Sequence, residues 1–484
     1  MRRMRVKMCN ITEKYDRMYE FDNSKDLYDF RFKDTGLPMW MFVRLFIIES
    51  VTYNTVYSAE KQISRGKRKE KEIQKSILQK YVTRNPYLSR KKDIVFAFWE
   101  FRDLRQHDDG MVYEEFIMPF LQILPHNTTT VMGGRIRNKF ELDCAHPNWK
   151  MADIFTDILK YKKVDISAED KKQIRDFINF LECNCPLHIE SSLKKEIFTR
   201  LSYFAQYSKL MIKMCELYLQ IVKPKIVIIC CASYPNILNT PMIMACKNKK
   251  VVTAELQHGW AGEYNPNTHI CNCIIENKEC NRMMPDYFLT FGKYWNSQVR
   301  VTSKCNVIGY AKTVIEDVVP DNKKILFCAG LHFETYMEFL DELMPKLDVD
   351  TEIYFRFHPT SSSQKQKNLF KKYLKYPNFL EADEKDLSDY MKECRYVIVD
   401  GSTIAYEALF MGRIVFALES ELSIKLGYRD LPDIHLFQDV SDFMELWNER
   451  NKLKPVYHKE FFDLNYKQNY IKFLKKCGVD VINK

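Results

Sequence analysis

Short continuous apolar runs alternate with stretches of helical periodicity from residue 94 to residue 417, and this alternation is the chain's dominant pattern. The runs 94–99 and 128–132 each end in polar residues, as buried strands do. From 151 to 222 the periodicity is helical, with a break at Pro186. The runs 225–230, 251–255, 286–290 and 306–308 then read as strands, with a helix over 235–247. The rhythm restarts after a polar, proline-marked junction at 318–322. There, strands at 324–328, 352–357, 379–381, 396–399 and 414–417 are separated by helices at 334–347, 364–373, 385–392 and 404–411. Strand–helix alternation of this kind builds parallel sheets from βαβ units. The pattern predicts an α/β protein with two Rossmann-like, doubly wound domains, 93–318 and 319–430, facing a cleft. A helical N-terminal extension (1–92) precedes them. C-terminal helices (431–484) are expected to pack back on the core.

The 484 residues are 46% hydrophobic and 14% aromatic, enough for a sizeable core and against wholesale disorder. Near the start, the apolar run 37–48 is interrupted by Arg44 and is shorter than the ~20 residues a bilayer span needs. The first residues are charged but lack an apolar signal core. Secretion and a spanning topology are therefore disfavoured, and a cytoplasmic protein is expected. The net charge of +10 is unevenly placed. Residues 1–92 hold 22 basic and 11 acidic residues, leaving 52 basic and 53 acidic for the rest. The densest run is Arg65-Gly66-Lys67-Arg68-Lys69-Glu70-Lys71. It reads as a solvated helix or linker, or as a contact with an anionic membrane surface or a phosphate-bearing acceptor. Trp40 and Phe42 offer themselves as interface anchors beside it. No recognition motif accompanies the charge, so nucleic acid is not an expected partner. The fifteen cysteines read as small buried hydrophobes of a reduced compartment. Cys183/Cys185 and Cys271/Cys273 are C-x-C pairs, tighter than usual zinc-ligand spacing, and no metal or cofactor is expected.

In open α/β sheets, ligands bind beyond the carboxyl ends of the strands. Polar residues directly after each apolar run are therefore the candidates. The first loop reads Glu255-Leu256-Gln257-His258-Gly259-Trp260, continuing to Tyr264. Gly259 permits a sharp turn beside a ligand, and His258 can accept a proton from an attacking hydroxyl. The second is Arg356-Phe357-His358-Pro359-Thr360, where cationic side chains can stabilise a phosphate leaving group. The third is Asp400-Gly401-Ser402-Thr403, followed by a helix bearing Glu407. Ser402 or Thr403 is expected to cap that helix, whose start offers an anion site. Glu407, one turn on from Thr403, is placed to hydrogen-bond ribose hydroxyls. A fourth loop, Ala329-Gly330-Leu331-His332, allows close phosphate approach at Gly330. For each loop taken alone, the competing reading is a turn histidine, a strand end or an ordinary helix cap. Their co-occurrence after strands of opposite domains favours function.

At these residues the sequence resembles the two-Rossmann-domain (GT-B) transferases of bacterial surface-polysaccharide synthesis. His358-Pro359 and Ser402-Thr403 are similar to donor-phosphate motifs of the polysialyltransferases and of the CDP-glycerol-type polyol-phosphate transferases. Gln257-His258-Gly259 is similar to the His-Gly loop of the teichoic-acid enzymes. The resemblance covers roughly 225–420, is thinner over 93–224 and does not reach 1–92. It implies transfer of a sugar from a nucleotide-sugar donor to a hydroxyl of a glycan or lipid-linked acceptor, with inversion. His258 would be the base. Asp109, in Asp108-Asp109-Gly110, is its rival, because the sialyltransferases carry a base in a similar motif. No D-x-D motif stands at a strand end, so metal-independent transfer is expected. Polyol-phosphate transfer, 2-epimerisation of a nucleotide sugar and a non-catalytic scaffold remain as alternatives.

Overall fold

The computed structural model describes residues 2–53, 84–98, 104–106, 112–114, 117–125, 128–133, 149–162, 164–311, 319–330, 333–357, 364–382 and 386–481. Strand β1 (Ile94–Phe98) is followed by a small antiparallel hairpin, β2 (Leu104–Gln106) and β3 (Val112–Glu114). Then come β4 (Thr129–Gly133), β5 (Trp149–Met151), β6 (Ile226–Cys230), β7 (Val252–Leu256), β8 (Tyr287–Thr290) and β9 (Lys304–Val307). These form one parallel sheet in the order β5-β4-β1-β6-β7-β8-β9. A second parallel sheet is built from β10 (Ile325–Cys328), β11 (Ile353–Arg356), β12 (Phe379–Glu381), β13 (Tyr396–Val399), β14 (Ile414–Leu418) and β15 (Ile434–Phe437). Its order is β12-β11-β10-β13-β14-β15. Every residue of β1, β13 and β14 is buried, as parallel strands covered on both faces require. The strand order reverses between β1 and β6 and again between β10 and β13, and the crevices open there. This is the arrangement of two Rossmann-like, doubly wound domains expected from the sequence.

Two expectations need correction. The first concerns the N-terminal region. The expected N-terminal helices are present over Arg2–Asp22 and Trp40–Tyr53. From Ile11 onward they pack with helices Ala168–Asn184 and Ser191–Val222 in one aromatic-rich core. Trp40 is fully buried and Phe42 is 9% exposed, so neither is an interface anchor. The indole N–H of Trp40 donates instead to the Asp22 carboxylate at 2.6 Å. The run was too apolar for a surface helix because it is a core helix. The charged segment 65–71 lies outside the described residues.

The second correction is at the other end. The second sheet extends past 430, since Ile434–Phe437 pairs in parallel with β14. Its half-buried central residues, one of them His435, hide an edge strand from an apolar-run reading. After it, Phe461 and Phe462 fill the gap between the domains with Phe291, Trp295, Tyr310 and Tyr406. Helix Tyr466–Lys476 then crosses back to the first sheet, burying Tyr470, Phe473 and Leu474 against Phe96, Phe98 and Phe120. Among the described residues no helix is long and apolar enough to cross a membrane.

Candidate active site

The two histidine-bearing walls were expected to meet across the cleft, and on the described residues two loops do. A Cβ placed on Gly259, after β7, would lie 3.8 Å from Thr403 Cγ2, after β13. Loops at the carboxyl ends of central strands in opposite sheets are thus in van der Waals reach. His258, Gly259 and Trp260 are half-buried there, as are Gly401, Ser402 and Thr403.

On the first wall, Glu255 is the last residue but one of β7 and is 4% exposed. Its two carboxylate oxygens accept from the Ser233 amide at 2.9 Å and the Ser233 hydroxyl at 3.0 Å. Burial pushes its carboxyl up to about 8, with the Ser233 bonds pulling the other way. Glu255 is thus a buried, largely protonated acid at neutral pH. Gln257 is also buried and is a strut: its side-chain oxygen accepts from Phe291 N at 2.9 Å, and its amide donates to the Gly259 carbonyl at 2.7 Å. That bond folds the chain back on itself around His258. Tyr264 sits further along, half-buried, its ring edge-on to Tyr15 at 5.1 Å. Asp109, the rival base, lies outside the described residues.

On the second wall, Asp400 is 1% exposed and is used structurally. One oxygen accepts from the Tyr336 hydroxyl and the other from the Ser420 hydroxyl at 2.5 Å. Tyr336 in turn accepts from the Gly330 amide at 2.6 Å. A Cβ on Gly330 would fall 2.2 Å from the Asp400 carbonyl oxygen, so only glycine lets these two loops touch. Gly401 has a φ of +60°, and its would-be Cβ lies 2.1 Å from Leu422 Cβ. The expected anion cradle is modified here. The Ser402 amide donates to the Tyr428 hydroxyl at 2.9 Å, and Tyr428 donates back to the Ser402 carbonyl. Thr403 makes no side-chain cap bond, whereas the Ser402 hydroxyl accepts from Ile404 N at 3.4 Å. Helix Ile404–Phe410 has only seven residues, so its dipole is weak.

Arg356 ends β11 half-buried, with one guanidinium N–H donated to the Ala382 carbonyl at 2.9 Å. Glu407 accepts from the Tyr310 hydroxyl at 3.0 Å, a contact across the domain boundary. Both side chains act on the Cys328 thiol at the end of β10. Burial pushes that thiol up to about 12; Arg356 opposes the rise and Glu407 adds to it. Arg356 is the register partner of Cys328 across β10 and β11. His358, Pro359 and Thr360 lie outside the described residues. Ser233, Tyr336, Ser420 and Tyr428 were not singled out in the sequence. Each is a common residue in a helical or loop context, and its partner is remote in the chain.

Neither a protein-family model nor a curated protein matches the chain. Among solved structures it is similar to a UDP-GlcNAc 2-epimerase from Neisseria meningitidis bound to UDP-GlcNAc, with a TM-score of 0.43 and 12% identity over 79% of this chain and 99% of that one. MurG from Acinetobacter baumannii gives a TM-score of 0.44 and 10% identity over 80% and 99%. The wall teichoic acid polymerase TagF gives 0.39 and 12% over 83% and 90%. Likeness at this distance supplies no chemistry for the chain, which has to come from its own residues.

Proposed function

We propose that the protein transfers a sugar from a nucleotide-activated donor to a hydroxyl of a surface-polysaccharide or lipid-linked acceptor, with inversion. The single observation that carries this reading is the approach of the His258-Gly259 loop to Thr403 across the gap between the sheets. It supports a site in which a proton acceptor and a hydroxyl-rich turn from different domains serve one reaction volume. In this reading the nucleotide lies on the second domain. Its phosphates meet Ser402, Thr403, Arg356 and the His358-Pro359-Thr360 loop. Glu407, steadied by Tyr310, accepts from the ribose hydroxyls. The acceptor oxygen attacks the anomeric carbon while His258 takes its proton. The bond from that carbon to the phosphate oxygen breaks, and the nucleoside diphosphate leaves as an anion stabilised by the basic side chains. Closure of the two domains expels water that would hydrolyse the donor. A lipid-linked acceptor places the enzyme at the inner face of the cell membrane, with the charged run 65–71 as its contact.

A thermal-shift panel of CMP, CDP, UDP, GDP and dTDP tests the reading. Nucleotide at a hundredfold excess over Kd should add about 3 kcal/mol of apparent stability. His358→Ala and Ser402→Ala should abolish the shift. His258→Ala should keep it and lose turnover. Labelled CDP-glycerol run against sugar nucleotides separates attack at phosphorus from attack at carbon. Acceptor-free interconversion of a nucleotide sugar would instead mark an epimerase, and the absence of any shift would mark a scaffold. The membrane step is tested by neutralising residues 65–71, since the buried residues between Ile11 and Val51 belong to the core and cannot be deleted cleanly. Unchanged binding to anionic liposomes would remove that step.

A further inference from the structure

The stretch from Gln257 to Ile270 carries His258 but contains no helix and no strand, only an isolated bridge at His269. Irregular backbone of this kind must borrow its position from elsewhere. Part of the support is internal: Asn265 Nδ2 donates to the Trp260 carbonyl at 3.2 Å, and the Gly262 amide to Thr268 Oγ1 at 3.2 Å. Its far end is tied to Arg300 through backbone bonds of 2.7 and 2.9 Å. Further support comes from the N-terminal helices. The Tyr15 hydroxyl donates to the Glu263 carbonyl at 2.8 Å. Arg44 Nη1 donates to the Pro266 carbonyl. The Cys273 amide donates to Asn23 Oδ1 at 3.1 Å, just past the stretch.

Arg44 is not aimed by chance. Its Nε and Nη2 hold the Asp22 carboxylate at 2.7 and 2.5 Å, and Trp40 donates to the same carboxylate. The side chains of Arg44 and Asp22 are 4% and 0% exposed. A buried ion pair is a poor source of stability, because a well-packed apolar pair often does as well. What an ion pair adds is direction. The carboxylate fixes the guanidinium plane, and the remaining N–H points at one carbonyl of the loop.

We infer that the buried Asp22–Arg44 pair is a positioning device that holds the His258 loop in place through the Pro266 carbonyl. The N-terminal helices form the outer wall of the site. Asp22 and Arg44 touch no substrate; they act through the loop. The inference deepens the transferase reading and rests on it for the role of His258. The placement of the loop itself does not depend on that reading.

Hydrogen–deuterium exchange on the full chain tests it, comparing wild type with Arg44→Met, Arg44→Lys and Tyr15→Phe. Arg44→Met should raise exchange over 260–268 at least tenfold while β1 and β6 keep their protection. Arg44→Lys should restore part of the protection, and Tyr15→Phe should raise exchange only around Glu263 and Tyr264. In turnover assays, Arg44→Met should lower kcat and leave the nucleotide-induced thermal shift intact. Unchanged exchange over 260–268 overturns the inference. So does a rise spread evenly over the first domain, which would make the pair merely stabilising. If Arg44→Met does not fold, Arg44→Lys decides by the same criterion, a rise over 260–268 above the wild-type level supporting the inference and unchanged exchange there overturning it. A wild type that turns over no donor would sink the transferase reading while the exchange data still judge the placement.

Discussion

Replacing Glu255 with glutamine should remove a pH dependence of stability between about pH 5 and 8. Glu255 is 4% exposed, and burial moves its carboxyl from the ordinary 4.5 up to about 8. In that window the folded protein holds a proton that the unfolded chain releases. Stability is therefore fully present below pH 4.5, falls as pH rises, and is lost above about 8. The slope is about 1.4 kcal/mol per pH unit. Over the 3.5 units between 4.5 and 8 this amounts to ~5 kcal/mol at most, the Ser233 bonds being already counted in the raised value. Glutamine carries no proton to lose. Its carbonyl can accept from the Ser233 amide and its NH2 can donate to the Ser233 hydroxyl, so both native bonds survive. Melting temperatures of wild type and Glu255→Gln should be compared at pH 5, 6, 7 and 8 and constant ionic strength. The two should be closest at pH 5, with the variant ahead by a margin that widens to pH 8. A margin that stays constant, or shrinks as pH rises, would refute the idea that Glu255 is held neutral.

Gly330→Ala should destabilise the second domain by about 1–3 kcal/mol and abolish nucleotide-dependent stabilisation, because its methyl meets the Asp400 carbonyl at 2.2 Å. Gly401→Ala should add ~1–2 kcal/mol of left-handed strain to its clash with Leu422; chemical denaturation reads both. A Gly259→Cys/Thr403→Cys double variant should cross-link under mild oxidation, read as a linked peptide pair by mass spectrometry. Failure to link would remove the observation on which the transferase reading stands. Glu49→Gln should cost about 1 kcal/mol in urea unfolding, since its 2.7 Å ion pair with Lys425 joins the N-terminal helices to the second domain with both side chains largely buried. Adding Lys425→Met to that variant should cost little more, because the pair is already broken.

Much of the architecture was legible before any coordinates. Central parallel strands such as Ile94–Phe98 and Tyr396–Val399 are buried on both faces, so they appear as unbroken apolar runs. The parallel strands that escaped are at sheet edges: Trp149–Met151 is three residues long, and Ile434–Phe437 is half-exposed at its centre. Short or partly solvated strands carry too few apolar residues to register. The N-terminal helices were legible as helices, but their destination was not. An apolar face at Met39–Ile48 fits a membrane surface as well as a protein core, and only the partners Ile174, Phe177, Leu201 and Phe204 choose between them.

The chain's own order of residues therefore determined the two parallel sheets and the loops where chemistry can gather, because burial and strand ends leave a one-dimensional trace. Tertiary structure alone decided what those loop residues do. It turned Asp400 and Gln257 into struts, joined Glu407 to Tyr310, raised the Glu255 acid by enclosing it, and set Arg44 against the His258 loop. Each outcome depends on a partner tens to hundreds of positions away. No local pattern encodes such a distance, because only the packed chain brings the two groups within the few ångströms at which charge and hydrogen bonding act.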